Sequence, residues 1–260
     1  MPLTAEPADR VMPPDQDRGS AESGLSGTVT ESVHAQIRAD ILSGALQPGA
    51  KLKLDALRNR CGASVNTLRE ALARLVSEGL VENVGQRGFN VVPATLADLH
   101  DITQMRLLLE CHAARLALQR ADLDWESRLV GAHHKLAKIE AVVDADPTRH
   151  GAQLERYNRE FHGALIAACG SRWLQHFHGV MYDQSLRYRM LAFQVRDFPR
   201  EQSRREHKEI LEAALARDPE RLTALLSAHI TKGLEHYADL GAKPRKRRGA
   251  PAGKAARARG

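Results

Sequence analysis

The sequence predicts a mostly α-helical chain in two parts: three short helices with a small β-hairpin, then an all-α bundle of six to seven helices. Three observations lead there. Two short helical segments flank "CGAS" at residues 61–64, a Gly-containing turn that sets one helix across the next. Directly after them, "LVENV" and "FNVVP" frame "GQRG" at residues 85–88, which reads as two strands around a Gly-bounded turn. From about residue 94 to 240 the apolar residues recur at helical spacing and no convincing strand appears. The first part therefore has the outline of a winged helix-turn-helix, and the second that of a bundle large enough to enclose a pocket.

In chain order, residues 1–27 are rich in Pro, Gly, Ser, Asp and Glu without periodicity and are expected to form a disordered head. The domain at 28–93 opens with "TVTESVHAQIRADILSG", which places Val33, Ile37, Ile41 and Leu42 on one face and stops at Gly44. "ALQPGAKL" reads as a connection with a Pro48-Gly49 turn. "LDALRNRCG" is a short helix closed by Gly62. In the next helix, Leu68, Leu72, Leu75, Val76 and Leu80 fall on an inward stripe, with Ser64 as the N-cap.

The domain at 94–240 begins at a capping box, Thr95 with Asp98, for a helix whose Leu96, Leu99, Ile102, Leu109, Ala113 and Leu116 share a face. Further helices are predicted at about 124–143, 152–168, 172–193, 200–216 and 219–238, the last opened by Asp218-Pro219. Residues 241–260 form a basic flexible tail.

That tail explains the net charge of +6. From residue 242 it holds eight basic residues and no acid, and removing them leaves 30 basic against 32 acidic residues. The body is near neutral, so any nucleic-acid function must be argued from local placement. Cys61, Cys111 and Cys169 are widely spaced, which suits three small core side chains and no disulfide framework or thiolate metal site. No run approaches a membrane span and the first 25 residues carry acids where a leader would be basic, so a cytoplasmic protein without membrane association is expected.

Along residues 65–80, Ser64, Val65, Asn66, Arg69 and, a turn beyond, Ala73 fall opposite the apolar stripe. Small residues permit close approach, Asn can pair with adenine, Arg can reach guanine or phosphate, and a free helix N-terminus attracts phosphate. With the turn before it and the wing after it, this face fits the major groove of double-stranded DNA better than it fits a solvated protein-interaction helix. RNA is disfavoured: aromatics are 4% of the chain and none cluster with basic residues.

Taken together, "GALQPGAKL", "LRNRCGASVNTLREALARLVSEGLVENV" and "GQRGFNVV" resemble the winged helix-turn-helix of the GntR family of bacterial transcription regulators. The helical region that follows resembles the effector domain of its FadR subgroup, known as FCD. The resemblance implies DNA contacts by Ser64, Asn66 and Arg69, with Gln86, Arg87 and Gly88 of the wing at the minor groove. Val65 stands where many relatives carry Arg, and Asp55 where a basic or polar residue is frequent. A missing Arg contact is worth about 1–3 kcal/mol, so a different operator is expected.

Three of the twelve histidines stand out. "YNREFHGAL" sets Asn158 and His162 four apart on one helix face; His207 lies beside Ile210-Leu211 on a later helix; His229 lies among Leu225, Leu226 and Ile230 on the last. His133, His134 and His236 read as surface positions. If the helices are neighbours, three imidazoles and one oxygen converge, a ligand set suited to Zn²⁺ or Ni²⁺. The resemblance supports this, since many FCD domains draw an Asp and a His from a "DxxFH" helix and one His from each of two later helices. Here the Asp position is Asn158, which lowers the negative charge by one and implies weaker metal affinity.

Arg106, in "QMRLLLE", matches the Arg of an "R..LE" pattern in that domain. It is a fork that can hold a carboxylate, or alternatively pair with Glu110 four residues on. Arg187, Tyr188 and Arg189 are further candidate donors. The expected function is a homodimeric regulator, a repressor released from a pseudo-palindromic operator by a small carboxylate effector that binds either through a metal ion or in a metal-free polar pocket. The alternatives are a direct metal sensor, disfavoured by an Arg in the pocket, and a metal-dependent hydrolase, disfavoured because no general base is evident beside the histidines.

Overall fold

In the computed structural model, residues 21–193 and 200–242 are described. The N-terminal part comprises α1 (Ala21–Leu42), β1 (Lys51–Leu52), α2 (Leu54–Cys61), α3 (Val65–Ser77), β2 (Val81–Asn83) and β3 (Phe89–Val91). Helix α1 starts inside the segment expected to be a disordered head. Once the buried face of Val33, Ile37 and Ile41 fixes the helix, each residue added upstream gains a backbone hydrogen bond at little further cost.

Helix α2 ends at Gly62 in the left-handed region (φ 63°), where its N–H donates to the Arg58 carbonyl. The Ser64 hydroxyl accepts from the Thr67 N–H at 3.2 Å and caps α3. Leu68, Leu72, Leu75 and Leu80 are fully buried against α1, with Leu52, Val81 and Val91 closing the same core.

The wing is wider than the predicted hairpin. β1 pairs antiparallel with β3, and β3 with β2, giving the order β1-β3-β2. "AKL" was legible only as a connection because two residues carry no periodicity. It becomes a strand because Gly49 (φ 73°) turns the chain so that its own N–H and that of Ala50's partner Val91 are both satisfied across β3. The wing tip is a single 3₁₀ turn, Gly85–Arg87, closed by Val84 N–H to Gly88 O at 2.8 Å.

Six helices follow: α4 (Leu96–Arg120), α5 (Leu123–Glu140), α6 (Pro147–Ile166), α7 (Arg172–Phe193), α8 (Arg200–Leu215) and α9 (Pro219–Ala242). Helix α6 begins five residues earlier than predicted, because Asp146 accepts from Arg149 N–H and Pro147 occupies the first helical position. Helix α4 packs against α6, α7 and α9, and α5 against α6 and α8. Ala113, Ala114 and Ala117 are wholly buried on α4 and let its neighbours approach closely. Its predicted apolar stripe needs correction. Leu96 is exposed and Leu109 and Leu116 only half-buried, whereas Thr103, Arg106 and Glu110 are buried.

The two parts meet along α7. Leu186 packs on the N-terminal core, and Gln184 Nε2 donates to the Glu78 carbonyl at 2.5 Å, at the C-terminal end of α3. Asp183 pairs with both Arg38 of α1 and Arg159 of α6, and Arg38 Nε also donates to Glu78 at 2.9 Å. The basic tail from residue 243 and the first 20 residues of the head lie outside the described residues.

Candidate DNA-binding face and effector cavity

The face opposite the apolar stripe of α3 is open. Ser64, Asn66, Arg69 and Ala73 are exposed and Val65 is half-buried. Arg69 has no ion pair among the described residues, which leaves its guanidinium available. Gln86 and Arg87 are exposed at the wing tip, and Gly88 (φ 87°) holds a backbone conformation that a side chain would strain.

In the helical domain, α6, α8 and α9 bring His162, His207 and His229 together. One ligand nitrogen from each lies within 4.8 Å of the others, and the rings of His207 and His229 are 4.6 Å apart, centre to centre. Each Nδ1 faces a carboxylate: His162 pairs with Glu110, His207 with Glu140 at 2.8 Å, and His229 with Glu206 at 2.8 Å. With Nδ1–H donated outward, each ring presents the Nε2 lone pair inward, the arrangement that orients metal-bound histidines. Nε2 of His162 and of His207 are buried without a hydrogen-bond partner, and so is Oδ1 of Asn158. Buried polar atoms left unpaired are costly. A divalent ion among the three rings would satisfy the histidine nitrogens, so the three histidines fit a metal, and Asn158 lines the same cavity.

Burial drives the His162 imidazole down to about 3 and His229 to about 4, only partly opposed by Glu110 and Glu206. Both are therefore neutral at pH 7, as ligands must be. Burial raises the Glu110 carboxyl, but His162 and Arg106 outweigh it and hold it well below the usual carboxylate range.

The cluster lies in a cavity of about 310 Å³. Arg106 and Arg189 line it; Arg187 and Tyr188 do not. Those two of the four expected effector contacts are corrected: Arg187 binds the Asp98 carboxylate and the Val92 carbonyl (3.4 Å), and the Tyr188 hydroxyl also bonds Asp98. They clamp the linker because successive helical residues point about 100° apart, so Arg189 and Arg187 cannot share a face.

Both readings of Arg106 hold together. Its Nη2 is 3.0 Å from Glu110 while the side chain still borders the cavity with Nε unpartnered. Arg189 donates to Glu155 (2.9 and 3.0 Å) and to Ser185 (2.9 Å). Tyr182 lies under Arg189 at 4.3 Å and Arg106 at 5.1 Å.

The sequence reading missed Glu110, Glu140 and Glu206 as partners of the histidines, and His178, whose Nε2 is 3.2 Å from Glu110. Glu110 alone was detectable, four residues from Arg106; the others meet the histidines only through tertiary packing. Carboxylates do surround the cluster, but on the Nδ1 side of the rings. His133 is also corrected: it is half-buried, edge-on to Phe161 at 5.6 Å, because α5 turns it toward α6. His134 is exposed, and the side chain of His236 lies outside the described residues.

Comparisons with known proteins agree with both halves. Residues 29–91 match the family described as bacterial regulatory proteins, gntR family, and residues 101–232 match the FCD domain. BphR of Paraburkholderia xenovorans strain LB400, an HTH-type transcriptional regulator, is 39% identical over 207 residues, covering 80% of this chain and 84% of that protein. GlaR of Escherichia coli K12, an HTH-type transcriptional repressor, is 32% identical over 203 residues, 75% of this chain and 89% of that protein. Among solved structures, E. coli McbR/YncC superposes with a TM-score of 0.67 at 21% identity, covering 82% of this chain and 98% of that one. It supports the fold alone. No helix among the described residues is long and apolar enough to cross a membrane.

Proposed function

Because the chain belongs to the GntR family of bacterial regulatory proteins and carries an FCD domain, we propose that it is a DNA-binding transcription regulator whose helical domain senses a small organic acid. The observation that carries the sensing role is the cavity, lined by the three clustered histidines and Asn158 together with Arg106 and Arg189.

His162, His207, His229 and Asn158 would hold a Zn²⁺ or Ni²⁺ ion, which when bound supplies a fixed positive charge that fastens a carboxylate. Arg106 orients the acid through its guanidinium, and Glu110, Glu140 and Glu206 keep the histidines in the metal-binding tautomer. Arg159, next to Asn158 on α6, pairs with Asp183 of α7, which pairs with Arg38 beneath α3. A shift of α6 on ligand binding thus has a short path of ion pairs to the DNA-binding domain.

On the DNA side, Ser64, Asn66 and Arg69 enter the major groove, and Gln86, Arg87 and Gly88 approach the minor groove. The protein works as a homodimer on a pseudo-palindromic operator, and acid binding releases it, making it a repressor. The arrangement opposes the hydrolase reading, since the carboxylates nearest the histidines are committed to Nδ1.

The test is metal analysis of purified protein with thermal melts against mono- and dicarboxylates. The expected result is stoichiometric metal lost in His162→Ala, and an acid-dependent rise in melting temperature lost in Arg106→Ala. An acid-dependent rise without any metal would leave a metal-free pocket, and no response to any acid would remove the sensing role.

A further inference from the structure

We propose that Val65 is a specificity-determining residue of the DNA face and reads the C5-methyl group of a thymine in the major groove. This rests on the DNA-binding reading above and specifies one base that the protein selects.

Val65 opens α3 and is half-buried. From that helix the N-terminal core takes Leu68, Ala71, Leu72 and Leu75, with Val76 packed against it; among the described residues Val65 is not part of it. Valine is also a poorer helix former than alanine, so neither packing nor helix formation calls for its two methyl groups here. At 100° per residue, Val65, Arg69 and Ala73 form one row at i, i+4 and i+8, with Asn66 beside it.

The other polar groups of these turns are engaged within the protein. The Ser64 hydroxyl accepts from Thr67 N–H and lies 2.9 Å from the Thr67 hydroxyl. Glu70 pairs with Arg74 at 2.8 Å and accepts from the Thr30 hydroxyl at 3.3 Å. Asn66 and Arg69 have no side-chain partner among the described residues. The open row thus offers an amide, a guanidinium and, in Val65 and Ala73, methyl groups.

Base-edge chemistry assigns the valine. In the major groove guanine and adenine present N7 acceptors, cytosine presents an amino donor, and thymine alone presents a methyl group. Methyl groups set against an acceptor or an amino group would leave it desolvated and unpaired. Set against thymine they bury apolar surface on both sides, and one buried methyl is worth about fourfold in affinity. Asn66, the next residue, suits the adenine of an A·T pair. The half-site under the first turn of α3 is therefore A·T-rich, with a thymine methyl against Val65.

The test uses the full chain and a site selected from random duplex DNA. Each thymine of one half-site is replaced in turn by deoxyuridine, which removes the methyl group alone. At one thymine the exchange should weaken binding about fourfold. Val65→Ala should weaken binding to the unmodified site by a similar factor and become indifferent to that exchange, with a melting temperature close to wild type. Asn66→Ala should bind more weakly yet keep the response to deoxyuridine.

A site in which no thymine methyl matters would overturn the proposal. So would a Val65→Ala variant that responds to deoxyuridine as the wild type does, the outcome if the valine served folding alone. Failure to select any site would overturn it through the DNA-binding reading itself, a different result from a selected site indifferent to methyl groups.

Discussion

Arg69 and Arg87 lie on the proposed DNA face on different elements, one on α3 and one on the wing, and neither has an ion pair among the described residues. Arg69→Ala should therefore leave the melting temperature unchanged and weaken operator binding by about 1–3 kcal/mol if it contacts a base. Competition with non-specific DNA checks this, since a phosphate contact would weaken both alike. The histidines predict an acid response. In the unfolded chain they take up protons near pH 6.5, whereas His162 and His229 in the fold resist until about 3 and 4. The unfolded state thus binds more protons below pH 6.5, and stability of the metal-free protein should fall as pH drops from about 6.5 to 4, by up to roughly 1 kcal/mol per pH unit for each histidine. Glu206 adds in the same direction lower down. Burial raises its carboxyl, but hydrogen bonds from His229 and Lys232 bring it to about 2, so its contribution is lost as pH falls below 4.5. Melts across this range check the slope, and a flat profile would contradict the neutral, buried histidines.

At the scale of elements, α7 carries the connection between the halves. Asp183 and Gln184 are consecutive, yet one holds Arg38 and Arg159 while the other caps the carbonyl end of α3. Asp183→Asn should leave both domains folded but reduce the effect of the acid on DNA affinity; titrating DNA binding with and without ligand measures that ratio. Most of the element order was legible because apolar periodicity and caps are local: Ser64, Thr95 and Gly62 act within three or four residues. The convergence of His162, His207 and His229 was legible through spacing together with the family resemblance. The carboxylates behind them were not, because Glu140 and His207 are 67 residues apart, as was the division of labour between Arg189 and its neighbours Arg187 and Tyr188. The strand β1 escaped for a related reason, since its pairing is decided by β3 and not by its own two residues.

For the whole molecule, the winged helix-turn-helix half and the helical half proposed to bind ligand meet along α7 and a short ion-pair path. A two-fold dimer implies half-sites about one helical turn apart, centre to centre, or a multiple of it. Deleting residues 242–260, with eight basic residues, should weaken binding to all sequences alike and flatten the salt dependence without altering site preference. The most direct test of the central claim is to select the protein's site from random duplex DNA and measure its affinity for that site, metal-loaded, with and without malonate. The account predicts a two-fold symmetric site whose binding weakens at least about fivefold with malonate, and fails to weaken in His162→Ala. A site without symmetry, or a wild-type affinity unchanged by malonate, succinate and acetate alike, would contradict it.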